Sequence, residues 1–407
     1  MLDLDAATAL LWERFAPLPA ERLPLGDAQG RFLAEALWAR RDDPPFDNSA
    51  MDGYAVRAAD VEGASDAAPC QLKVIGESRA GEPSERGLGA GEAIRIFTGA
   101  MVPEGADAVV MQENTAREGE TVSVVVPSPE GKHIRRAGEA VRATSGLLGR
   151  GAELRSGEIA LAASQGHAIV PVHRRPRVAI LATGDELNEL GSTPGSGGIY
   201  DSNSHGLAAA VREAGGIPQL LPLGADSPEA LLALVQEGLR ADMLISTGGV
   251  SVGDYDLVHG AFEAAGVEEV FWKVRIKPGK PVRFGVSGRG VPALGLPGNP
   301  VSALVTFELF ARPALRTMIG DASPHRERIK VKLSRPMTAP ATRTELARAR
   351  LEGDVAHPSS RQGSGNMTSL VGLDVLLILP AGAGKITEAD ALDLRGGRGS
   401  AQSPWEA

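Results

Sequence analysis

The sequence MLISTGGVSVGDYD, residues 243–256, places an apolar run directly before glycines and carboxylates. Such a run predicts a buried strand, and Gly, Ser and Thr at its end present backbone N–H groups to an anion. Two further motifs follow, IKPGKPVRFG at 276–285 and GLPGNPVSA at 295–303. Their lysines also suit an anion, and carboxylates beside an anion imply a bridging divalent metal. The stretch therefore predicts a site for a phosphorylated substrate.

The chain on both sides of this stretch alternates between strands and helices. From Pro176 onward, runs such as RVAILATG and ADMLISTGG predict strands, whereas SNSHGLAAAVREAGG and SPEALLALVQEGLR predict helices. Ser227 is the expected N-cap of the second helix, with Pro228 at its first position. Right-handed crossovers then predict a doubly wound parallel sheet between two helical layers, a three-layer αβα domain at 175–322. The run at 301–320 is predicted to close this domain as one long helix.

The rest of the chain is predicted to form further domains, because 407 residues exceed a single core. Short apolar runs between Gly, Pro and Glu turns indicate an inserted β domain at 46–140. Residues 1–45 and 141–174 are predicted to form a discontinuous N-terminal domain of helices and strands, with its first helix over 4–18. Residues 323–407 are predicted to form a C-terminal domain resembling a β-barrel. The expected fold class is therefore α/β plus all-β.

The composition argues against several classes of partner. The formal net charge of −9 at pH 7 argues against nonspecific binding of nucleic acid. The single cysteine, Cys70, leaves no intrachain disulfide and no cysteine-based metal site. Acids stand at the N-terminus where a signal peptide has basic residues, and no apolar run reaches the length of a membrane span. We therefore expect a cytoplasmic protein with no nucleic-acid partner and no membrane partner.

The strand ends of the α/β domain carry candidate site residues. Ligands of doubly wound sheets bind beyond the carboxyl ends of the strands. One end supplies Thr183, Gly184, Asp185 and Glu186, a second supplies Ser246, Gly248, Gly249, Ser251 and Asp256, and a third supplies Asp226. Each end alone is commonly a turn with a helix cap. Acidic ends on one sheet edge favour a functional site.

The lysine motif is a candidate oxyanion site. Lys277 and Lys280 flank Pro278-Gly279, whose fixed bend lets two ammonium groups converge on one anion. A solvated turn is the alternative interpretation. The motif after it, GLPGNPVSA, predicts a junction of strand and helix.

At this junction a helix N-terminus favours an anion. Pro297 and Asn299 precede the helix, Pro300 suits its first position, and Ser302 offers a hydroxyl.

Outside the α/β domain, the residues alone leave the alternatives open. The loop FDNSAMDGYA, with Asp47 and Asp52, is also typical of a turn cluster. QGSG, with Ser364, is typical of a flexible loop. Arg348, near the start of a predicted C-terminal strand, is typical of a surface charge. The histidines show no metal-ligand spacing.

Taken together, the motifs resemble those of the molybdopterin molybdenumtransferases, the MoeA family, which is related to the E domain of gephyrin. The matching strings are PPFDNSAMDGYAVRAAD, IRIFTGAMVPEGADAVVMQE, ATGDEL, STGGVSVGDYD, IKPGKPVRFG and GLPGNPVSA, in that family's order. The resemblance implies a homodimer of elongated four-domain subunits, with the molybdopterin adenylyltransferase as a candidate partner. It also implies a Mg²⁺-dependent reaction, in which adenylylated molybdopterin and molybdate give molybdenum cofactor and AMP.

The resemblance also assigns roles to residues. It implies that Glu186, Asp226 and Asp256 bind metal and nucleotide and take part in catalysis. It implies a catalytic role for Asp52 and a substrate contact for Thr98. The molybdate site is implied at Lys277, Lys280, Ser302, Arg348 and Ser364.

One departure from the family concerns a basic pair that falls on Arg135 and Arg136. Many relatives read Gly-Glu-Asp after this pair, but here the residues are Gly138, Glu139 and Ala140. The expected aspartate is therefore absent. Either Glu139 substitutes for it, or that carboxylate is dispensable.

Two functions other than this molybdenum insertion, the insertase activity, remain as alternatives. A molybdopterin adenylyltransferase uses a similar α/β domain, but it resembles only the middle of this chain, so the flanking regions favour the insertase. A scaffold like gephyrin is the other alternative. The acidic residues beside KPGKP favour catalysis, because a pure scaffold has no need of them.

Overall fold

The computed structural model describes residues 1–224, 227–249 and 257–395. These residues form three six-stranded sheets and several two-stranded pairs. One six-stranded sheet is flanked by helices and the other two are all-β, which confirms the predicted fold class. None of the described helices is both long and apolar enough to span a bilayer.

The central sheet carries the predicted alternation of strand and helix. Its elements, numbered from its first strand, are β1 Arg177–Ala182, α1 Asn203–Glu213, β2 Ile217–Leu220, α2 Pro228–Gly238, β3 Met243–Thr247, α3 Leu257–Ala264, β4 Val267–Trp272, β5 Arg283–Ser287, β6 Pro292–Leu296 and α4 Pro300–Thr306. The spatial order is β2-β1-β3-β6-β5-β4. Ser227 caps α2 as predicted, since its Oγ accepts the Ala230 N–H at 3.2 Å.

The prediction of a fully parallel sheet is wrong for one strand. β5 pairs antiparallel with both β6 and β4, whereas β2, β1, β3 and β6 run parallel. Residues 288–291 between β5 and β6 are too few for a crossover helix, so the two strands form a hairpin. The first residue of β5 therefore lies at the same sheet edge as the carboxyl ends of the parallel strands.

Helices cover both faces of this sheet, because consecutive residues of β1 point to opposite faces and Val178 to Ala182 are all buried. Val178 and Ile180 pack in one cluster with residues of α1 and α4. Ala179 and Leu181 pack in another cluster with residues of α2 and α3. The arrangement is the predicted three-layer αβα sandwich.

The predicted single helix over 301–320 contains a wider turn. After α4 the chain forms a π turn at Phe307–Ala311 and continues as α5, Arg312–Met318. Pro313 explains the irregularity, because its ring lacks an N–H and clashes with the carbonyl four residues earlier in an ideal α-helix.

The N-terminal helix is shorter than predicted, Leu4–Trp12 instead of 4–18. Asp3 caps its start by accepting the Ala6 N–H at 2.8 Å. Pro17 and Pro19 restrict the residues before them to extended conformations, so the helix cannot continue to residue 18. Ala7 and Leu11 pack in the same core cluster as Val178 and Ile180 of β1.

The other N-terminal elements are short. They are the strands Ala20–Pro24, Leu37–Trp38, Asn48–Ser49, Ile134–Arg135, Gly146–Leu148 and Ile169–His173, and the helix Ser156–Ser164. The second six-stranded sheet, in spatial order, consists of Ala108–Met111, Gly53–Val56, Glu92–Ile96, Cys70–Ser78, Thr121–Val124 and Thr115–Glu118. Among the described residues, the strands of this sheet pair only with one another.

The C-terminal strands close into a barrel. In order around it they are Thr344–Glu352, Val355–Pro358, Arg328–Thr338, Lys385–Asp393 and Val375–Leu379, and the last pairs with the first. A short strand, Ile276–Lys277, adds to Thr344–Glu352 and ties the lysine motif to the barrel. The predicted domain boundaries stay a prediction.

Candidate active site

A cavity of about 490 Å³ opens at the carboxyl ends of β1, β3 and β6. From β1 the chain passes to β2 on one side, and from β2 it returns to β3 on the other side. The edge between β1 and β3 is therefore the topological switch point of the sheet. Crevices at such points are the usual ligand sites of doubly wound folds.

Glycine backbone forms the floor of this cavity. Gly184 follows β1, Gly248 follows β3 and Gly298 follows β6, and all of them line the cavity. Gly248 has φ +88°, and a Cβ at this position would lie 2.3 Å from the carbonyl oxygen of Thr183. A glycine is required here, since only a residue without a side chain lets the loops after β1 and β3 approach so closely.

A small polar network ties the loops around the cavity together. The Asn203 Nδ2 donates to the Thr247 Oγ1 at 3.0 Å and to the Gly298 carbonyl at 2.7 Å. The Thr247 hydroxyl donates in turn to the Pro297 carbonyl at 3.2 Å. Asn203 and Thr247 were not among the predicted site residues. Asn203 could have been suspected from its place at the start of a helix that follows a strand-end loop.

Many of the residues predicted at the strand ends line the cavity. They are Thr183, Gly184, Glu186, Gly248, Gly249, Pro297, Asn299 and Pro300. Asp185 is exposed and is not among the lining residues. Ser246 is 0% exposed inside β3, so the predicted contact with substrate disagrees with its position. Ser251, Asp226 and Asp256 lie outside the described residues.

The carboxylate of Glu186 is the predicted metal ligand that the structure describes at the cavity. Among the described residues, no three His, Cys, Asp or Glu side chains are grouped to hold a metal ion. Mg²⁺ is usually held by one or two carboxylates together with substrate phosphates and water. An exposed glutamate that lines a cavity large enough for a substrate with phosphates fits that donor set.

The lysine motif lies against the helix that begins at the cavity. Gly279 has φ +105°, and a Cβ there would lie 2.3 Å from the Thr306 Cγ2 of α4. Lys277 and Lys280 are both exposed, and the Lys277 Nζ lies 3.1 Å from the Glu345 Oε1 of the barrel. Pro281, the next residue, lines the cavity. The turn therefore lies next to the cavity, although neither lysine is among the residues that line it.

The N-terminus of α4 offers fewer donors to an anion than its motif suggested. Pro300 has no N–H, and the Val301 N–H donates to the Ser364 carbonyl of the barrel at 3.1 Å. Ser302 is 3% exposed, so its hydroxyl lies inside the protein. The contact places the Ser364 backbone beside the first turn of α4, and the implied molybdate contact of Ser364 stays a prediction.

Arg348 differs from the surface charge that its sequence context suggested. Its side chain is buried, at 1% exposed, on the face of its strand that carries Leu346, opposite to Ala347 and Ala349 of the barrel core. The Nε donates to the Ser369 Oγ at 2.8 Å, and one terminal nitrogen lies within hydrogen-bond distance of the Arg361 and Gly363 carbonyls. Burial lowers the pKa of its guanidinium from the usual value. Arg348 therefore holds the loop that delivers Ser364.

Asp52 and Thr98, predicted separately, form a direct pair in the second sheet region. The Asp52 Oδ1 accepts the Thr98 N–H at 2.7 Å and the Thr98 hydroxyl at 2.9 Å. These two hydrogen bonds, aided by the charge of Arg95, lower the pKa of the Asp52 carboxyl from its usual value. Asp52 is thus a fixed carboxylate on a region separate from the cavity sheet.

The basic pair is also ordered by hydrogen bonds. A terminal nitrogen of Arg136 donates to the Asp47 Oδ2 at 2.6 Å. The Ala137 N–H and then Arg136 lower the pKa of Asp47. The Glu139 Oε2 accepts the Arg136 N–H at 3.0 Å, so Glu139 closes this turn. Arg135 is exposed in a short strand pair with Asn48.

Comparison with known proteins accounts for most of the chain. Residues 2–166 match the family model described as MoeA N-terminal region (domain I and II). Residues 179–317 match a probable molybdopterin binding domain, and residues 330–393 match the MoeA C-terminal region (domain IV). The matched order is the one that the motifs suggested.

Relatives that match most of the chain agree with these matches. The chain is 42% identical over 306 residues to a molybdopterin molybdenumtransferase of Nostoc sp., covering 74% of this chain and 70% of the relative. It is 38% identical to the Bacillus subtilis molybdopterin molybdenumtransferase, covering 89% of this chain and 86% of the relative. A solved molybdopterin biosynthesis MoeA protein from Pyrococcus horikoshii superposes with a TM-score of 0.84 at 31% identity, covering 96% of this chain and 100% of that one.

Proposed function

Because the chain belongs to the MoeA family of molybdopterin molybdenumtransferases, we propose that its cavity binds adenylylated molybdopterin and that molybdate converts it to molybdenum cofactor and AMP. The family acts in molybdenum cofactor biosynthesis, and its members are transferases. The observation that carries the proposal is the glycine-lined cavity at the switch point of the sheet, with the lysine turn at its edge.

The proposed mechanism is electrostatic positioning. The substrate's phosphates and molybdate are both anions, and two like unit charges at about 4 Å cost roughly 4 kcal/mol at an effective dielectric of about 20. Lys277 and Lys280 would offset this repulsion and orient molybdate. The reaction needs no protein nucleophile.

Magnesium is the second part of the proposal. Glu186, with Asp226 and Asp256, would hold Mg²⁺, which when bound would polarise the phosphate for cleavage. The support is the chemistry of the donors, since carboxylate oxygens are what Mg²⁺ prefers, and Glu186 lines the cavity. The chain's own task is then to fix the phosphates on the glycine floor.

The alternative functions have less support. The matches to the N-terminal and C-terminal MoeA regions extend far beyond an α/β domain alone, which argues against a stand-alone adenylyltransferase. A scaffold role has no observation of its own in favour, whereas the cavity and the lysine turn favour catalysis.

We expect purified protein to release AMP from adenylylated molybdopterin when both Mg²⁺ and molybdate are present. Glu186→Gln should lower this rate by about two orders of magnitude or more, as loss of a transition-state charge contact does. Glu213→Gln, an exposed glutamate at the end of α1, is the matched control. AMP release that is equal with and without molybdate would argue against insertase activity.

We further propose a homodimer in which a second copy brings its Asp52 and Thr98 to the cavity. The support is that this pair matches family substrate positions, yet lies in loops at one end of a sheet whose described strands do not pair with the cavity sheet. A symmetric dimer then contains two composite sites.

Mixing two inactive variants tests this composite site. Asp52→Ala and Glu186→Gln chains, each inactive alone, should regain roughly a quarter of wild-type AMP release after subunit exchange, since half the dimers are mixed and each has one intact site. Light scattering would report the dimer mass. No recovery in dimers shown to have exchanged subunits would place both residues within one chain's site.

A cytoplasmic location is also proposed, because a fold with one cysteine is typical of a reducing compartment. The molybdopterin adenylyltransferase is proposed as a partner, because it makes the adenylylated substrate. Co-purification of the two proteins would test that contact.

A further inference from the structure

An aromatic side chain stands at one end of the cavity without a role in the reaction described so far. Tyr200 lines the cavity and is 46% exposed. Its hydroxyl donates to the Ser192 carbonyl at 2.9 Å, which fixes the ring at its far end. The ring is therefore held in place while much of its surface stays accessible.

The backbone under this ring is also fixed. Ile199–Tyr200 forms a parallel pair with Leu187–Asn188, directly after β1. The Ile199 N–H donates to the Glu186 carbonyl at 2.8 Å, and the Asp201 N–H donates to the Asn188 carbonyl at 3.0 Å. A contact surface ordered before the ligand arrives loses little conformational entropy on binding.

The strand order separates this tyrosine from the lysine turn. Tyr200 is attached to the loop after β1, whereas Lys280 lies just before β5, at the same sheet edge. β3 and β6 lie between them, and three strand spacings amount to roughly 14 Å. The glycine floor occupies the ends of the intervening strands. The edge therefore runs from an aromatic ring, through a floor suited to phosphate, to a pair of ammonium groups.

We propose that Tyr200 is a specificity-determining contact that stacks on the adenine ring of the adenylylated substrate and of AMP. The inference rests on the proposed function and deepens it. A flat heterocycle stacks favourably on an exposed tyrosine face. Adenine is assigned to this end because the dithiolene end of the pterin half must reach molybdate at the lysine turn.

Calorimetric titration of the full-length protein with AMP and with ribose 5-phosphate separates the ring contact from the phosphate contact. Tyr200→Leu should weaken AMP binding by about fivefold to a hundredfold, the range of base–aromatic stacking. Tyr200→Phe keeps the ring and should weaken AMP binding less than Tyr200→Leu does. Ribose 5-phosphate, which has no base, should bind alike to all three proteins. Ile169→Ala, an exposed apolar residue that does not line the cavity, serves as the control.

The outcomes are distinct. A Tyr200→Leu protein that loses affinity for AMP and ribose 5-phosphate equally would show that Tyr200 acts only through the fold of the loop, and would overturn the inference. Unchanged AMP affinity in Tyr200→Leu would also overturn it while leaving the proposed reaction standing. If the unmodified protein binds ribose 5-phosphate and AMP with equal affinity, there is no adenine contact. If it binds neither, the proposed function fails as well.

Discussion

Gly248→Ala is expected to abolish AMP binding and turnover and to destabilise the protein. The added Cβ would meet the Thr183 carbonyl oxygen at 2.3 Å, and φ +88° is itself strained for alanine. Strained backbone and overpacking each cost about 1–3 kcal/mol, so a loss of roughly 2–6 kcal/mol is expected. Because the clash pushes the loops after β1 and β3 apart, the floor of the cavity is the first structure to change.

A matched glycine controls for the substitution itself. Gly260 lies in α3, and a Cβ added there would have no atom within 4 Å outside its own helix backbone and chain neighbours. Gly260→Ala should therefore be neutral or stabilise the protein by about 0.5–1 kcal/mol. Thermal unfolding measures the stability of both variants, and titration with AMP measures their affinity for AMP. Wild-type AMP affinity in Gly248→Ala would show that the glycine floor is not the phosphate site.

Lys277→Ala and Lys280→Ala are expected to raise the molybdate concentration needed for half-maximal rate by about tenfold to a hundredfold each. Removing one charge-assisted hydrogen bond costs about 1.5–3 kcal/mol. Binding of AMP should change far less. Since both lysines are proposed to contact one ligand, their effects should not add in the double variant. Rates measured over a range of molybdate concentrations give the half-maximal concentration, and titration with AMP gives the affinity for AMP.

Because Lys277 forms an ion pair with Glu345, its substitution needs a second variant as a control. Glu345 is 8% exposed, so Lys277→Ala alone leaves a buried carboxylate unpaired and lowers stability. Lys277→Ala with Glu345→Gln removes both charges and should restore stability without restoring the molybdate response. Lys385→Ala, an exposed lysine of the barrel, is the control for charge. If the lysine variants lose AMP affinity and keep a normal molybdate response, the lysines contact the phosphates instead.

The position of the cavity was predictable because residues that line it directly follow strands in the sequence. An apolar run followed by Thr183-Gly184 or by Gly248-Gly249 predicts a strand that stops at a site, and parallel strands stop at one edge. The reversed direction of β5 was missed in the same region. The few residues between β5 and β6 were the available signal for a hairpin.

Contacts between residues that lie far apart in the sequence were harder to predict from the sequence. Asp52 and Thr98 lie 46 residues apart, and only the family resemblance suggested a shared role. Arg348 was misjudged because an arginine in a strand is normally solvated, and its burial depends on carbonyls from a loop that has no periodicity. Tyr200 was missed because an aromatic residue near a turn is more often part of the core.

The hydrogen bond from the Val301 N–H to the Ser364 carbonyl has a consequence for how the site responds to ionic strength. With that donor engaged and Pro300 lacking one, the first turn of α4 offers fewer backbone N–H groups to molybdate. In the proposed mechanism the attraction for molybdate falls instead to Lys277 and Lys280, whose side chains are exposed to solvent. Charges in that setting are screened over a Debye length of about 8 Å at physiological salt. Oxyanion capture at this edge therefore weakens as salt rises, while the packed glycine floor and the Asn203 network keep their geometry.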